Sequence, residues 1–331
     1  MKKRLTWIDN AKGIGILLVV LGHTYGIPTA LHHIIYSFHM PLFFLLSGYT
    51  FRGENVRAER LQKYIRRMAR AYLVPYFLLA GLNLCGNALY ELYCGNFSPA
   101  QQLRYLGGIL YGYANMTWMP MCSPIWFLVS IFLVKSLYAA VFLRLDSEKR
   151  HVAAAVCALA AYGSSLLPLP RLPWNLLPSL FGVFFFHIGA WMGEKDLVSR
   201  LRGNRKWLLC GMAAALLCLG MAADNLVGMN ENTYGNLGIF LLTSLLYSLL
   251  LMTLSPSKQG LLTWIGQNSM IFMGFNYLMR AYMIEVYYFI PFVRNYPIHW
   301  TVLFAMVTLA LTAIAWSYRR IVLPRFKGKG D

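Results

Sequence analysis

Acidic residues are scarce in this chain. Only 12 Asp and Glu stand against 30 Lys and Arg in 331 residues, for a net charge of +18. Charge of either sign is thin, with 13% of residues charged and 58% hydrophobic. A soluble domain carries about 25% charged residues, so the polar surface needed to stay in water is missing. No interval between the apolar runs holds a soluble domain of ordinary size, roughly 100 residues. Period-2 alternation is absent too, and backbone in lipid must be bonded internally, which leaves helices as the spanning structure. The six cysteines, Cys85, Cys94, Cys122, Cys157, Cys210 and Cys218, show no metal-ligand spacing. Most fall inside apolar runs as packing residues, and only Cys94 and Cys122 leave a disulfide open. No cleavable signal is evident, since Lys12 and His23 make the first apolar run too polar for one. Internal repeats and low-complexity tracts are also lacking.

What is present is a series of apolar runs of bilayer-spanning length. Ten spans are expected at about 12–31, 34–51, 71–94, 124–143, 152–168, 175–193, 207–225, 235–254, 264–284 and 299–319. With an internal N-terminus, the cytoplasmic segments hold 24 Lys and Arg and the external ones only Arg104, Arg171 and Arg294. Lys12, Lys135 and Arg280 fall within spans or at their ends. This bias predicts an all-α polytopic integral membrane protein of about ten transmembrane helices, with N- and C-termini cytoplasmic. It also accounts for the basic charge without nucleic acid. The whole chain, 1–331, reads as one membrane-embedded domain. Residues 52–70 form a basic, helix-forming cytoplasmic loop. Residues 95–123 form an external loop that lies in the outer interface or re-enters the membrane.

Ionisable residues inside a span are expensive and by default mark function. Lys12 and His23 are 11 residues apart, about 20° beyond three full turns, so they share a helix face about 16 Å apart along the axis. The structural alternative is that Lys12 snorkels and His23 bonds a neighbouring helix. With a hairpin centred on Leu31, His39 falls at the same depth as His23, a pairing suited to proton handling. His39 bonded to a backbone carbonyl is the plainer reading, and His32 and His33 are expected at the interface. Arg66, Arg67 and Arg70 cluster at the inner boundary, where guanidinium forks match phosphate oxygens or anionic lipid. Trp126 opens the fourth span, as a pocket residue or an aromatic-belt residue. Gly22 and Gly26 are spaced as GxxxG, which favours close helix approach. His187 and Glu194 show no evident partner.

The order of these motifs resembles the acyltransferase 3 family of integral membrane acyltransferases, especially its fucose-acetylase-like branch. The resemblance covers nearly the whole chain. It rests on Asp9, Lys12 and His23 in sequence, on SFHMPLFFLLSGY at 37–49, on the arginine-rich segment before Pro75-Tyr76, on Trp126-Phe127-Leu128, and on IGQNS at 265–269. Relatives often have Arg where Lys12 stands, and a histidine where this chain has Asn276. The resemblance implies acyl transfer, commonly of acetyl, from cytoplasmic acyl-coenzyme A to a hydroxyl of a carbohydrate or cell-envelope acceptor. It implies that His23 is catalytic and that Lys12 takes the role of the usual arginine. The expected assignments are His23, Lys12 and Asp9 for catalysis; Lys12, Arg66, Arg67 and Arg70 for the donor; and His39, Ser47 and Trp126 for the acceptor. No metal is called for. Two rivals stay open, a transporter of a small solute or glycan precursor and a scaffold subunit for envelope enzymes.

Overall fold

The computed structural model describes residues 5–322 and is helical throughout, with no strand among those residues beyond one isolated bridge, Gly228 to Thr233. The principal helices are α1 Thr6–Gly22, α2 Thr29–Tyr49, α3 Leu61–Tyr93, α4 Trp126–Ala140, α5 Ser147–Ser165 and α6 Leu176–Glu194. They continue as α7 Arg205–Leu217, α8 Leu237–Leu254, α9 Leu261–Gln267, α10 Ser269–Phe289 and α11 Trp300–Ser317. Among the described residues, six helical segments are long and apolar enough to cross a membrane: α2, α3, α8 and the stretches Ser123–Arg144, Pro173–Glu194 and Trp300–Ile321. The chain is a multi-pass membrane protein.

The other four expected spans also coincide with helices, each compromised in its own way. α1 has 17 residues. α5 carries Glu148, Lys149 and Arg150 in its first turn. α7 has 13 residues, and a new helix, Leu219–Asp224, follows the break at Cys218. α9 and α10 meet at Asn268, and α10 holds Asn276, Arg280 and Glu285. The basic residues of 1–4 and 323–331 lie outside the described residues.

The first hairpin differs from its expected form. α1 stops at Gly22 instead of running on to residue 31. Gly26 takes a left-handed φ of 77°, and Pro28 caps the start of α2. Both residues oppose helix continuation. Gly26 is therefore a turn residue, and the GxxxG reading of Gly22 and Gly26 does not hold. The turn lies nearer His23 than His39, so the residue that meets His23 is Tyr36, with His39 one helical turn further along α2.

α2 packs against α6 along most of its length. A Cβ on Gly48 would strike the Phe186 carbonyl oxygen, and one on Gly189 would strike that of Leu45. Glycine is needed there because the two backbones touch. α1 meets α9 in the same way, with Gly266 against the Asp9 carbonyl. An aromatic core of Phe181, Phe185, Phe240 and Tyr234 packs between α6 and the start of α8. His187, unpartnered in sequence, is bonded through Nδ1 to Tyr138 at 2.9 Å and through Nε2 to His151 at 2.9 Å. All six cysteines are free thiols, so the Cys94–Cys122 disulfide is not formed.

Candidate active site

One cavity of about 440 Å³ runs between the helices. α1 contributes Lys12, Ile16, Val19 and His23, and α2 contributes His32, Tyr36, His39, Phe43, Ser47 and Thr50. Steps of three and four residues keep each set on one helix face, within an arc of about 80° at 100° per residue. The cavity is a groove between two facing stripes, closed by α4 and α10. Lys12, Ser47, Thr50, Tyr72 and Lys135 line one end, and His32, Tyr36, Tyr277, Asn115 and residues 226–231 line the other.

His23 follows the last turn of α1. Its Nδ1 lies 2.7 Å from the Tyr36 hydroxyl and 3.2 Å from that of Tyr277. No hydrogen bond reaches its Nε2 among the described residues, and the ring lines the cavity. The open carbonyl at this helix end accepts a 2.6 Å hydrogen bond from Arg280, a cation complementing the negative end of the helix. Arg280 is buried, with its guanidinium 4.0 Å from the Tyr25 ring centre and 4.2 Å from that of Tyr277.

His39 is buried one turn further along α2, its Nδ1 2.9 Å from the Ile35 carbonyl. A carbonyl only accepts, so Nδ1 carries the proton and Nε2 keeps its lone pair. Ser47 and Trp126 both line the cavity, and Trp126 is buried inside the bundle, not placed in an outer aromatic belt. Asp9 is buried in the first turn of α1 and accepts a 3.4 Å bond from Gln267 of the IGQNS segment. Arg319 holds the same segment, reaching Asn268 at 2.8 Å and Gln267 at 3.1 Å. Asn276, where relatives often have histidine, is buried and its Nδ2 finds no acceptor among the described residues, while its neighbour Tyr277 reaches His23.

The arginine cluster is not brought to this cavity. On α3 the inward face is Tyr64, Met68 and Tyr72. Arg66 and Arg70 each stand two residues from that face, about 200° around the helix, and both are exposed. Arg67 pairs with Glu59 and lies over the Tyr64 ring. Lys135 lines the cavity at the same end as Tyr72, with its ammonium 5.5 Å from the Tyr72 ring centre.

Tyr36, Tyr277, Arg280, Lys135, His32 and Glu231 were not singled out as site residues. Two signals for them existed: Lys135 and Arg280 are charges within expected spans, and the α2 stripe is regular. His32, expected at the interface, stacks on Tyr36 with ring centres 3.9 Å apart.

The acyltransferase 3 family model, an acyltransferase domain, matches residues 5–318. The chain belongs to that family. Comparison with curated proteins gave no match, and neither did comparison with solved structures. The matched acyltransferase domain contains every residue lining the cavity, and no cluster able to hold a metal occurs among the described residues.

Proposed function

We propose that the protein is a membrane O-acyltransferase of the cell membrane. It would move an acyl group, acetyl in the first instance, from acyl-coenzyme A to a hydroxyl of a carbohydrate or cell-envelope acceptor. The observation that carries this reading is one cavity with two lysines at one end and, towards the other, His23, whose ring is bonded among the described residues through Nδ1 alone. Ten spans with both termini cytoplasmic, as the charge bias suggests, would open the lysine end to cytoplasmic donor. Lys12 and Lys135 would then face the anionic part of coenzyme A. The slender pantetheine arm would extend along the α1 and α2 stripes, carrying the thioester the roughly 16 Å from Lys12 to His23. Lys12 in place of arginine agrees with the fucose-acetylase-like branch.

In this mechanism Nδ1–H of His23 donates to the Tyr36 oxygen, which leaves the Nε2 lone pair facing the cavity. Nε2 takes the acceptor hydroxyl proton as that oxygen attacks the thioester carbonyl. The C–O bond forms, the C–S bond breaks, and the imidazolium returns the proton to the departing thiolate. His39 and Trp126 line the route as acceptor-side residues, whereas Ser47, expected with them, stands at the lysine end beside the donor; Asp9 anchors the base of α1 beside Lys12.

The test uses purified protein in nanodiscs with acetyl-coenzyme A and simple glycosides. His23→Ala is expected to lose on the order of 10²–10⁴ in transfer rate while binding the donor as wild type does. Full transfer activity in that variant would overturn the mechanism. A cavity between the helices also suits a transporter, and solute flux that survives His23→Ala would favour that rival.

A further inference from the structure

The cavity is polarised. Its charged lining residues are Lys12 and Lys135 at one end and Glu231 at the other. Glu231 sits on the loop between Asp224 and α8, held before any ligand arrives. Gly228 and Thr233 exchange backbone bonds of 2.8 and 3.0 Å. Asn230 donates to the Ala114 carbonyl at 2.5 Å and accepts from Asn175 at 3.2 Å. Asn232 reaches Ser164 at 3.0 Å and accepts from buried Tyr234 at 2.9 Å. Burial raises the Tyr234 hydroxyl well above its ordinary value, so it stays a neutral donor. The turn is thereby tied to the 112–122 loop, to the start of α6 and to the end of α5, and Glu231 faces the cavity from a fixed frame.

The cations nearest this end are engaged elsewhere. Arg280 is absent from the cavity lining, covered by Tyr25 and Tyr277 and bonded to the His23 carbonyl and the Tyr25 hydroxyl. Arg171 lines a neighbouring cleft of about 140 Å³ that Glu231 also borders, lies over the Tyr113 ring and reaches the Ala114 carbonyl at 3.5 Å. Glu231 is the charged group at this mouth, with Asn115 and the His32 ring lining it beside Thr233 and the hydroxyls of Tyr36 and Tyr277.

We propose, resting on the acyl-transfer reading above, that the mouth formed by Glu231, Asn115 and His32 is the acceptor subsite and selects by charge. It takes neutral or amino-bearing sugars and rejects acidic ones. A carboxylate accepts hydrogen bonds from vicinal hydroxyls and pairs with an ammonium, but it repels a uronate or a phosphate at close range in a low-dielectric site. The two ends thus sort two substrates of opposite character, an anionic donor at the lysines and a non-anionic acceptor at the glutamate.

The experiment compares three probes on protein in nanodiscs: methyl glucoside, glucosamine and glucuronate. Binding is read by saturation-transfer NMR without donor, and transfer is read with acetyl-coenzyme A. The first two probes are expected to bind and to be acetylated, with kcat/KM at least tenfold above that for glucuronate. Glu231→Gln should lower kcat/KM for both at least tenfold, leave donor KM unchanged and shrink the discrimination against glucuronate. Glu231→Asp should recover part of the loss. Glucuronate bound and used as well as glucoside, or discrimination unaltered in Glu231→Gln, would overturn the subsite while leaving acyl transfer standing. Charge-selective binding that depends on Glu231 but without acetylation of any probe would support the subsite and count against the acyltransferase reading.

Discussion

The hydroxyl of Tyr36 lies 2.7 Å from Nδ1 of His23, joining the second helix to the residue that ends the first. Thirteen residues separate the two in sequence. The short turn brings Tyr36, and not His39, level with His23. A base whose one nitrogen is fixed presents the other in a set direction, so Tyr36 acts through His23 as a positioning residue.

Tyr36→Phe should therefore lower kcat about tenfold, part of the 10²–10⁴ that a positioned base supplies. Donor KM should change little, because Tyr36 stands at the far end of the cavity from Lys12 and Lys135. Tyr277→Phe should cost less, its contact with His23 being longer at 3.2 Å. Steady-state kinetics against donor concentration separate the two parameters, and a raised donor KM with unchanged kcat would contradict this role.

Donor affinity should follow Lys12 and Lys135, not the arginines. Lys12→Ala and Lys135→Ala are each expected to raise the donor Kd several-fold, with Lys12→Arg close to wild type. The double variant Arg66→Ala with Arg70→Ala should stay within about twofold, since both side chains lie about 200° away from the inward face of α3. Coenzyme A binding to protein in nanodiscs measures all four. A large loss in the arginine pair alone would move the phosphate site outside the cavity.

Topology is open to direct measurement. A reporter fused after Asp331 should be active only if it functions in the cytoplasm, and one inserted at Asn230 only if it functions outside. The expectation comes from the 24-to-3 distribution of Lys and Arg. An external C-terminus would require an odd number of spans.

Packing of α2 on α6 should tolerate no side chain at Gly48. A Cβ there would meet the Ala190 backbone nitrogen at 2.8 Å as well as the Phe186 carbonyl. Overpacking costs about 1–3 kcal/mol, so Gly48→Ala should lower the unfolding temperature in detergent. Gly81→Ala is the contrast, with nothing within 4 Å of the added carbon. Exchanging glycine for alanine inside a helix gains about 1 kcal/mol, so that variant should be neutral or more stable.

The sequence by itself determined the helical, membrane-embedded class, because the length of apolar runs and the scarcity of charge admit no other solvent. It also determined that Lys12 and His23 share a face, since an 11-residue interval closes on three turns of any α-helix, and both line the cavity. The α2 motif was equally legible: Ser47 and His39 fall on its cavity stripe, and Gly48 on its packing side. The end of α1 does not follow apolar length, because the backbone limits of Gly26 and Pro28 end the helix whatever the hydropathy.

Tertiary structure alone decided the rest. Tyr277 and Arg280 reach His23 across more than 250 positions, and Glu231 enters through a loop with no motif of its own. Such groups meet only when separate helices pack. Burial and charge complementarity select them, and neither leaves a local pattern in the chain. The arginine cluster is the converse case: its spacing was plain in the sequence, but the helix face it occupies was set by Tyr64, Met68 and Tyr72 packing inward.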